Sequence, residues 1–147
     1  ALRAGALAVG GSVTITTLPG YMPLRQHLDL AEIHRRNAVE LVGEENVREF
    51  GLRGGSTDMG DVTQIMPAIH PFAGGVSGRS HGEDLVVEDY GVAVLAAAKA
   101  MAMTVVDLLG HDARRASEIV AQFKPAMTRE EYLSRMRSLQ SEQTYAG

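Results

Sequence analysis

Residues Tyr90 to Leu109 form the longest apolar run in the chain, twenty positions carrying only two charges, Lys99 and Asp107. A run of this length is either a buried helix or a membrane span. A span rarely tolerates two charges, so the expectation is one long buried helix. Its alanines (Ala93, Ala96, Ala97, Ala98, Ala100) permit close approach to a sheet. The chain's 147 residues suffice for one domain with a real core. A net charge of −4, with the positive charges scattered, argues against a nucleic-acid surface. Cysteine is absent, which removes thiolate nucleophiles and zinc-thiolate sites but does not fix the compartment.

The other elements follow from punctuation and periodicity. Leu2 to Val9 reads as a helix stopped by Gly10-Gly11, not as an export signal. Ser12 to Leu18 alternates and is β-branched, the pattern of a half-buried strand. Pro23 is placed in the first turn of a helix whose Leu30, Ile33, Ala38 and Leu41 share a face; Gly43 ends it. Short strands are expected at Val47 to Phe50 and Val62 to Met66, with glycine-dense loops at 51–60 and 71–84 emerging near the ends of the latter. Gly110 should end the long helix, and Asp112 should cap a following one that buries Ala116, Ile119, Val120 and Phe123. Thr128-Arg129-Glu130-Glu131 is a capping box for a surface helix to about Leu139. The final SEQTYAG shows no apolar periodicity and is expected to fray. The chain also opens inside a helix without a starting methionine, so it reads as a piece of something longer.

The chemistry concentrates in the two loops. His81 stands among Ser80, Gly82, Glu83 and Asp84 and is the best metal-ligand candidate, with a neighbouring carboxylate available to orient its other nitrogen. The alternative is a solvated loop histidine, with the acids that follow serving the helix dipole. Asp58, after Ser56 and Thr57 in the Gly54-Gly55-Ser56-Thr57-Asp58 turn, is either a site acid or the head of an Asx turn. His70, between Ile69 and Pro71, is either packed and satisfied or part of a site. His27-Leu28-Asp29 has metal-site spacing, but two residues apart on a helix the side chains diverge. It reads as solvated surface, as does Glu44-Glu45. Ser56, His81 and Asp84 could be drawn as a triad, yet no nucleophile elbow, phosphate loop or dinucleotide fingerprint is present.

GGSTDMGDVTQIMPAIHPF, then SHGED, then the alanine-rich helix ending VVDLLG, resembles the C-terminal part of the aminoacylase and carboxypeptidase G family of metal-dependent amidohydrolases and peptidases. The tail FKPAMTREEYL resembles its p-aminobenzoyl-glutamate hydrolase branch. The likeness runs from about residue 20 onward. It implies an α/β chain: residues 23–147 as the C-terminal part of a zinc-peptidase-like α/β/α catalytic domain, and residues 1–22 as a remnant of an inserted lid or dimerisation domain.

It further implies a centre of two divalent ions (zinc, or manganese or cobalt), to which this chain contributes His81. Ser56, Thr57, Asp58, His70, Gly74 and Gly75 would line the substrate side. The family's H-x-D motif, Glu-Glu pair and general-base glutamate have no counterpart in this sequence, and its His-Thr/Ser-x-Glu becomes His81-Gly82-Glu83. A metal-bound water is acidified only on a cation held by three or more protein ligands, so the chain alone is expected to be inactive. The whole enzyme would cleave an amide of N-acyl amino acids, dipeptides or p-aminobenzoyl-glutamate in the cytoplasm. Its expected partners are that substrate and either a second copy or a complementing N-terminal half, with no nucleic acid and no membrane. The rival expectation is a non-catalytic module that associates through an exposed sheet edge.

Overall fold

The computed structural model describes residues 1–51 and 56–146. Helix α1 (Leu2–Ala8) leads into strand β1 (Ser12–Thr17), helix α2 (Leu28–Val42), a 3-10 turn (Glu44–Asn46) and helix α3 (Met59–Ile65). Two short strands, β2 (Val76–Ser77) and β3 (Val86–Val87), precede a π-helical turn (Gly91–Ala96) that runs into helix α4 (Ala97–Gln122). Helix α5 (Arg129–Leu139) and strand β4 (Ser141–Ala146) complete the chain, which is therefore mixed α and β with two small antiparallel sheets among the described residues.

The C-terminal residues do not fray. They pair antiparallel with β1 from Ser12 opposite Ala146 to Thr17 opposite Ser141. Cross-strand chemistry replaces the apolar periodicity that the sequence lacks there. The Thr14 and Thr144 hydroxyls bond at 2.9 Å, Thr16 donates to Glu142 at 3.1 Å, and the Arg3 guanidinium lies 3.7 Å over the Tyr145 ring centre.

The expected strand at Val62 to Met66 is instead helix α3, and Val47 to Phe50 forms no strand. Valine, threonine and isoleucine gave that stretch a β bias that tertiary packing overrides. A helix puts Gly60, Thr63 and Gln64 on one buried face, where they satisfy the backbone of the segment before α2. The Thr63 hydroxyl accepts from the Arg25 amide at 2.9 Å, and the Gln64 amide donates to the Pro23 carbonyl at 2.7 Å. The Asp61 carboxylate takes the Met22 amide at 2.8 Å. Pro23 thus lies in this clamped segment and not in a helical first turn; α2 begins at Leu28, capped by the His27 ring.

Helix α2 packs against α4 through polar contacts. The Thr104 hydroxyl donates to the Ala100 carbonyl at 2.7 Å and meets Asn37 at 3.3 Å and the His34 Nδ1 at 3.2 Å. Asn37 also donates to Asp107 at 2.8 Å. Burial holds the His34 imidazole below its ordinary 6.5, so folding favours its neutral form. The unfolded chain then binds the proton more readily, and stability should be complete above pH 6.5 and fall as pH drops from there towards the folded value. Chemical denaturation across that window, with His34→Phe as reference, measures it. A wild-type slope equal to that of the variant would discount His34 as the cause.

The long apolar helix is present but not buried as expected. Gly110 breaks it, and His111, Asp112 and Ala113 follow with φ between 51° and 60° before the helix resumes to Gln122. Asp112 sits inside this left-handed turn and not at an extended N-cap. Of the run itself only Ala100 and Thr104 are buried; Val94, Leu95, Met101, Val105, Val106 and Leu109 are exposed. Beyond the break Ile119 is buried while Val120 is not. Ile33, Ala100 and Ile119 are the buried apolar residues among those described, outnumbered by buried Asn37, Thr63, Gln64 and Thr104. Gly91–Gln122 is long and apolar enough to cross a membrane by composition. Helix α5 is capped as its sequence predicts, with Thr128 and Glu131 exchanging side-chain bonds to each other's amides at 3.1 and 2.7 Å.

Candidate metal and substrate-binding residues

Two of the loop residues are joined by a hydroxyl. The turn into α3 carries Thr57 and Asp58, and the segment leaving α3 carries His70, so a short helix brings both to one place. Thr57 donates to the Asp58 carboxylate at 3.3 Å and lies 3.4 Å from the His70 Nδ1. Its oxygen also meets the Met59 amide at 3.4 Å, a hydroxyl-closed turn where the sequence suggested an Asx turn. The His70 amide donates to Gln26 at 3.0 Å, and its ring stacks on Phe72 with centres 5.0 Å apart. Ser56 is exposed beside them. Gly54 and Gly55, quoted with this turn, lie outside the described residues.

His81 is elsewhere, at the tip of the hairpin formed by β2 and β3. Val76 pairs with Val87 and Ser77 with Val86, leaving 78–85 as the loop. Gly78, at φ 87°, turns the chain where a Cβ would overlap the Asp84 carbonyl. An Arg79–Asp84 ion pair at 3.3 Å and a Gly82-to-Arg79 backbone bond at 2.8 Å brace the loop. His81 itself is exposed at φ 62°, an uncommon region for a side-chain-bearing residue. Glu83 is exposed in the same loop.

The two glycines assigned to the substrate side differ in role. Gly75 (φ 78°) accepts from the Glu88 and Asp89 amides at 2.9 and 3.1 Å, and a Cβ there would press on the Asp89 carbonyl and Ala93. It ties the foot of the hairpin to the start of the π-helical turn. Gly74 is exposed near Val92.

Among the described residues, no three histidine, aspartate or glutamate side chains are grouped to hold a metal ion. The sequence decoys have structural work. Half-buried His27 caps α2 by accepting from the Leu30 amide at 3.4 Å and faces Phe123. Asp29 pairs with Arg115 at 3.6 Å, and Glu44 with Arg35 at 3.0 Å.

Two hollows lie along the α2–α4 contact. A polar cleft of about 500 Å³ is bordered by Arg36, Glu40, Asp107 and Arg115. An apolar groove of about 310 Å³ is lined by Leu30, His34, Ile69, Pro71, Met101 and Val105, among others. His70 stands between two groove residues, Ile69 and Pro71; His81 borders neither hollow. Sequence reading passed over His34 and Thr104. Position 34 follows Ile33 and precedes Asn37 on the inward side of α2, a placement that the apolar periodicity of that helix already implies.

No family model, curated protein or solved structure matches the chain.

Proposed function

We propose that the chain supplies one imidazole, His81, to a two-ion metal centre whose other donors lie on polypeptide outside it. The centre belongs to an amidohydrolase or peptidase acting on N-acyl amino acids, dipeptides or p-aminobenzoyl-glutamate. In this reading residues 23–147 belong to a zinc-peptidase-like α/β/α catalytic domain and residues 1–22 to an inserted lid, and the enzyme is cytoplasmic. The observation that carries it is the presentation of His81: exposed, in left-handed backbone, on a hairpin tip braced by Arg79 and Asp84. Strained backbone around a potential ligand is a feature of functional positions.

The residues present fit a partial site only. His81 would ligate zinc, manganese or cobalt; the metal would acidify a water once three or more donors hold it. Thr57, Asp58 and His70 form a hydrogen-bonded patch suited to a polar substrate group, with Ser56 and Gly74 exposed on the same loops. Gly75 would act by shaping the hairpin.

The test is Mn²⁺ line broadening of the histidine ring resonances. Broadening should centre on His81 and be stronger there than at His111, which is also exposed and at positive φ but outside the site. Equal broadening of the two would end the proposal. The chain alone, given zinc and an N-acyl amino acid, should show no turnover.

A second reading, an association module, is favoured by the ribbon of β1 and β4. It is a two-stranded sheet, so each strand keeps an outer edge without a ladder partner among the described strands.

A further inference from the structure

Three consecutive residues inside α4 occupy a backbone region that side chains oppose. His111, Asp112 and Ala113 have φ of 51°, 60° and 55° with ψ of 53°, 34° and 29°, a left-handed turn. They are three of the four side-chain-bearing residues at positive φ among those described. Such residues enter this region singly, because Cβ crowds the following carbonyl oxygen. The glycine of the turn gives no relief: Gly110 lies at φ −59° and ψ 158°, which any residue adopts. Local preference points the other way. Ala113, Arg114, Arg115, Ala116 and Glu118 are good helix formers, so the sequence here favours an uninterrupted right-handed helix.

What holds the kink is tertiary. Beyond it Ile119 is 4% exposed, and the Phe123 ring faces His27 with centres 6.0 Å apart. Arg25 donates to the Lys124 carbonyl at 3.1 Å, and the Ala126 amide donates to the Gln64 carbonyl at 2.9 Å. Helices α2 and α4 run antiparallel, Asn37 meeting Asp107 and His27 meeting Phe123. From Asn37 to its first residue, Leu28, α2 extends about 14 Å. On an uninterrupted helix Phe123 would lie about 24 Å beyond Asp107. A straight α4 would therefore carry Phe123, and with it Lys124 and Ala126, past the end of α2 and away from these partners. A strained turn is thus balanced against one buried aliphatic side chain, one ring contact and two hydrogen bonds.

We propose that Gly110–Ala113 is a strained hinge, and that the second half of α4 exchanges between its docked position and a straight continuation of the first half. In the docked state the contacts of Ile119, Phe123, Lys124 and Ala126 hold three residues in left-handed backbone. In the straight state that backbone relaxes and Ile119 is uncovered. A ligand or partner that reads only one of the two states would set the balance between them.

Thiol labelling tests the hinge. The chain has no cysteine, so Ile119→Cys introduces a single thiol. Ala100→Cys places one at a similarly buried position before the break. Under native conditions iodoacetamide should label position 119 at least tenfold faster than position 100. Its rate should also depend less on urea, because opening a hinge exposes less surface than global unfolding. Ala113→Gly suits left-handed backbone and should slow labelling at 119 about tenfold; His111→Val, β-branched, should quicken it about tenfold. Hydrogen exchange at the Ala126 amide, with Ile119 intact, should respond in the same directions and serves if the cysteine variant misfolds. Equal rates at 119 and 100 with the same urea dependence would overturn the proposal, as would labelling at 119 that neither turn substitution alters. Faster labelling in Ala113→Gly would do so too, since glycine would then be acting as it does in a right-handed helix.

Discussion

Gly60→Ala should lower the thermal midpoint by roughly 10 °C, through a loss of about 3 kcal/mol, the upper end of what overpacking costs. Gly60 is buried in the first turn of α3, and a Cβ there would overlap the Met22 carbonyl oxygen. The obstacle is backbone held in place by its neighbours. Asp61 takes the Met22 amide and Gln64 donates to the Pro23 carbonyl, so the segment cannot retreat without losing both bonds. The same clamp reaches α5, where burial and a bond to Asp61 push the Tyr132 hydroxyl above its ordinary value. Gly20→Ala is the control, since a Cβ there meets nothing within 4 Å. Thermal circular dichroism reads both; a midpoint for Gly60→Ala within 2 °C of the control would contradict this packing.

Thr104→Val should cost about 1 to 2 kcal/mol and also move a proton. The Thr104 oxygen has one hydrogen and two lone pairs. The hydrogen goes to Ala100, and Asn37 occupies one lone pair. The His34 Nδ1 at 3.2 Å must therefore donate to the other, which fixes the neutral ring as its Nδ1–H tautomer. Valine keeps the shape and deletes the acceptor. Asn37 retains Asp107, but the half-buried Nδ1–H is left without its partner. Ring ¹⁵N shifts should report Nδ1–H in the wild type and a swing towards Nε2–H in the variant. An Nε2–H ring in the wild type would refute the assignment.

What the sequence disclosed was local. The helix around Leu30 to Leu41, the capping box at Thr128, the stop at Gly110 and the strand at Ser12 each depend on residues within a few positions of one another, and all four are present. Two failures share one cause. α3 is helical because Thr63 and Gln64 satisfy a segment some forty positions earlier, and β4 is a strand because β1 waits at the other end of the chain. Neither partnership leaves a periodic trace. The long helix failed differently. Its composition led to an expectation of burial, yet among the described residues only Ala100 and Thr104 of the run are buried.

The candidate site was legible to the same degree. Pattern put Thr57 and Asp58 in the 51–60 loop and His70 just ahead of the 71–84 loop, and the structure adds the hydroxyl that joins them. It could not show that Gly75 holds a hairpin foot or that His81 stands apart on the tip, because both depend on how 78–85 folds back. His34 and Thr104 were missed because a polar residue on an apolar helix face reads as noise until its partner on the other helix is known.

The pairing of β1 with β4 joins residues that lie 124 to 134 positions apart along the chain. Closing so large a loop carries an entropic cost that no local contact offsets beforehand. The ribbon is therefore expected to close later than the contact of α2 with α4, whose bonded residues lie 67 and 70 positions apart. In the nascent chain β1 must wait, its hydrogen-bonding groups still in water, until Ser141–Ala146 has been synthesised.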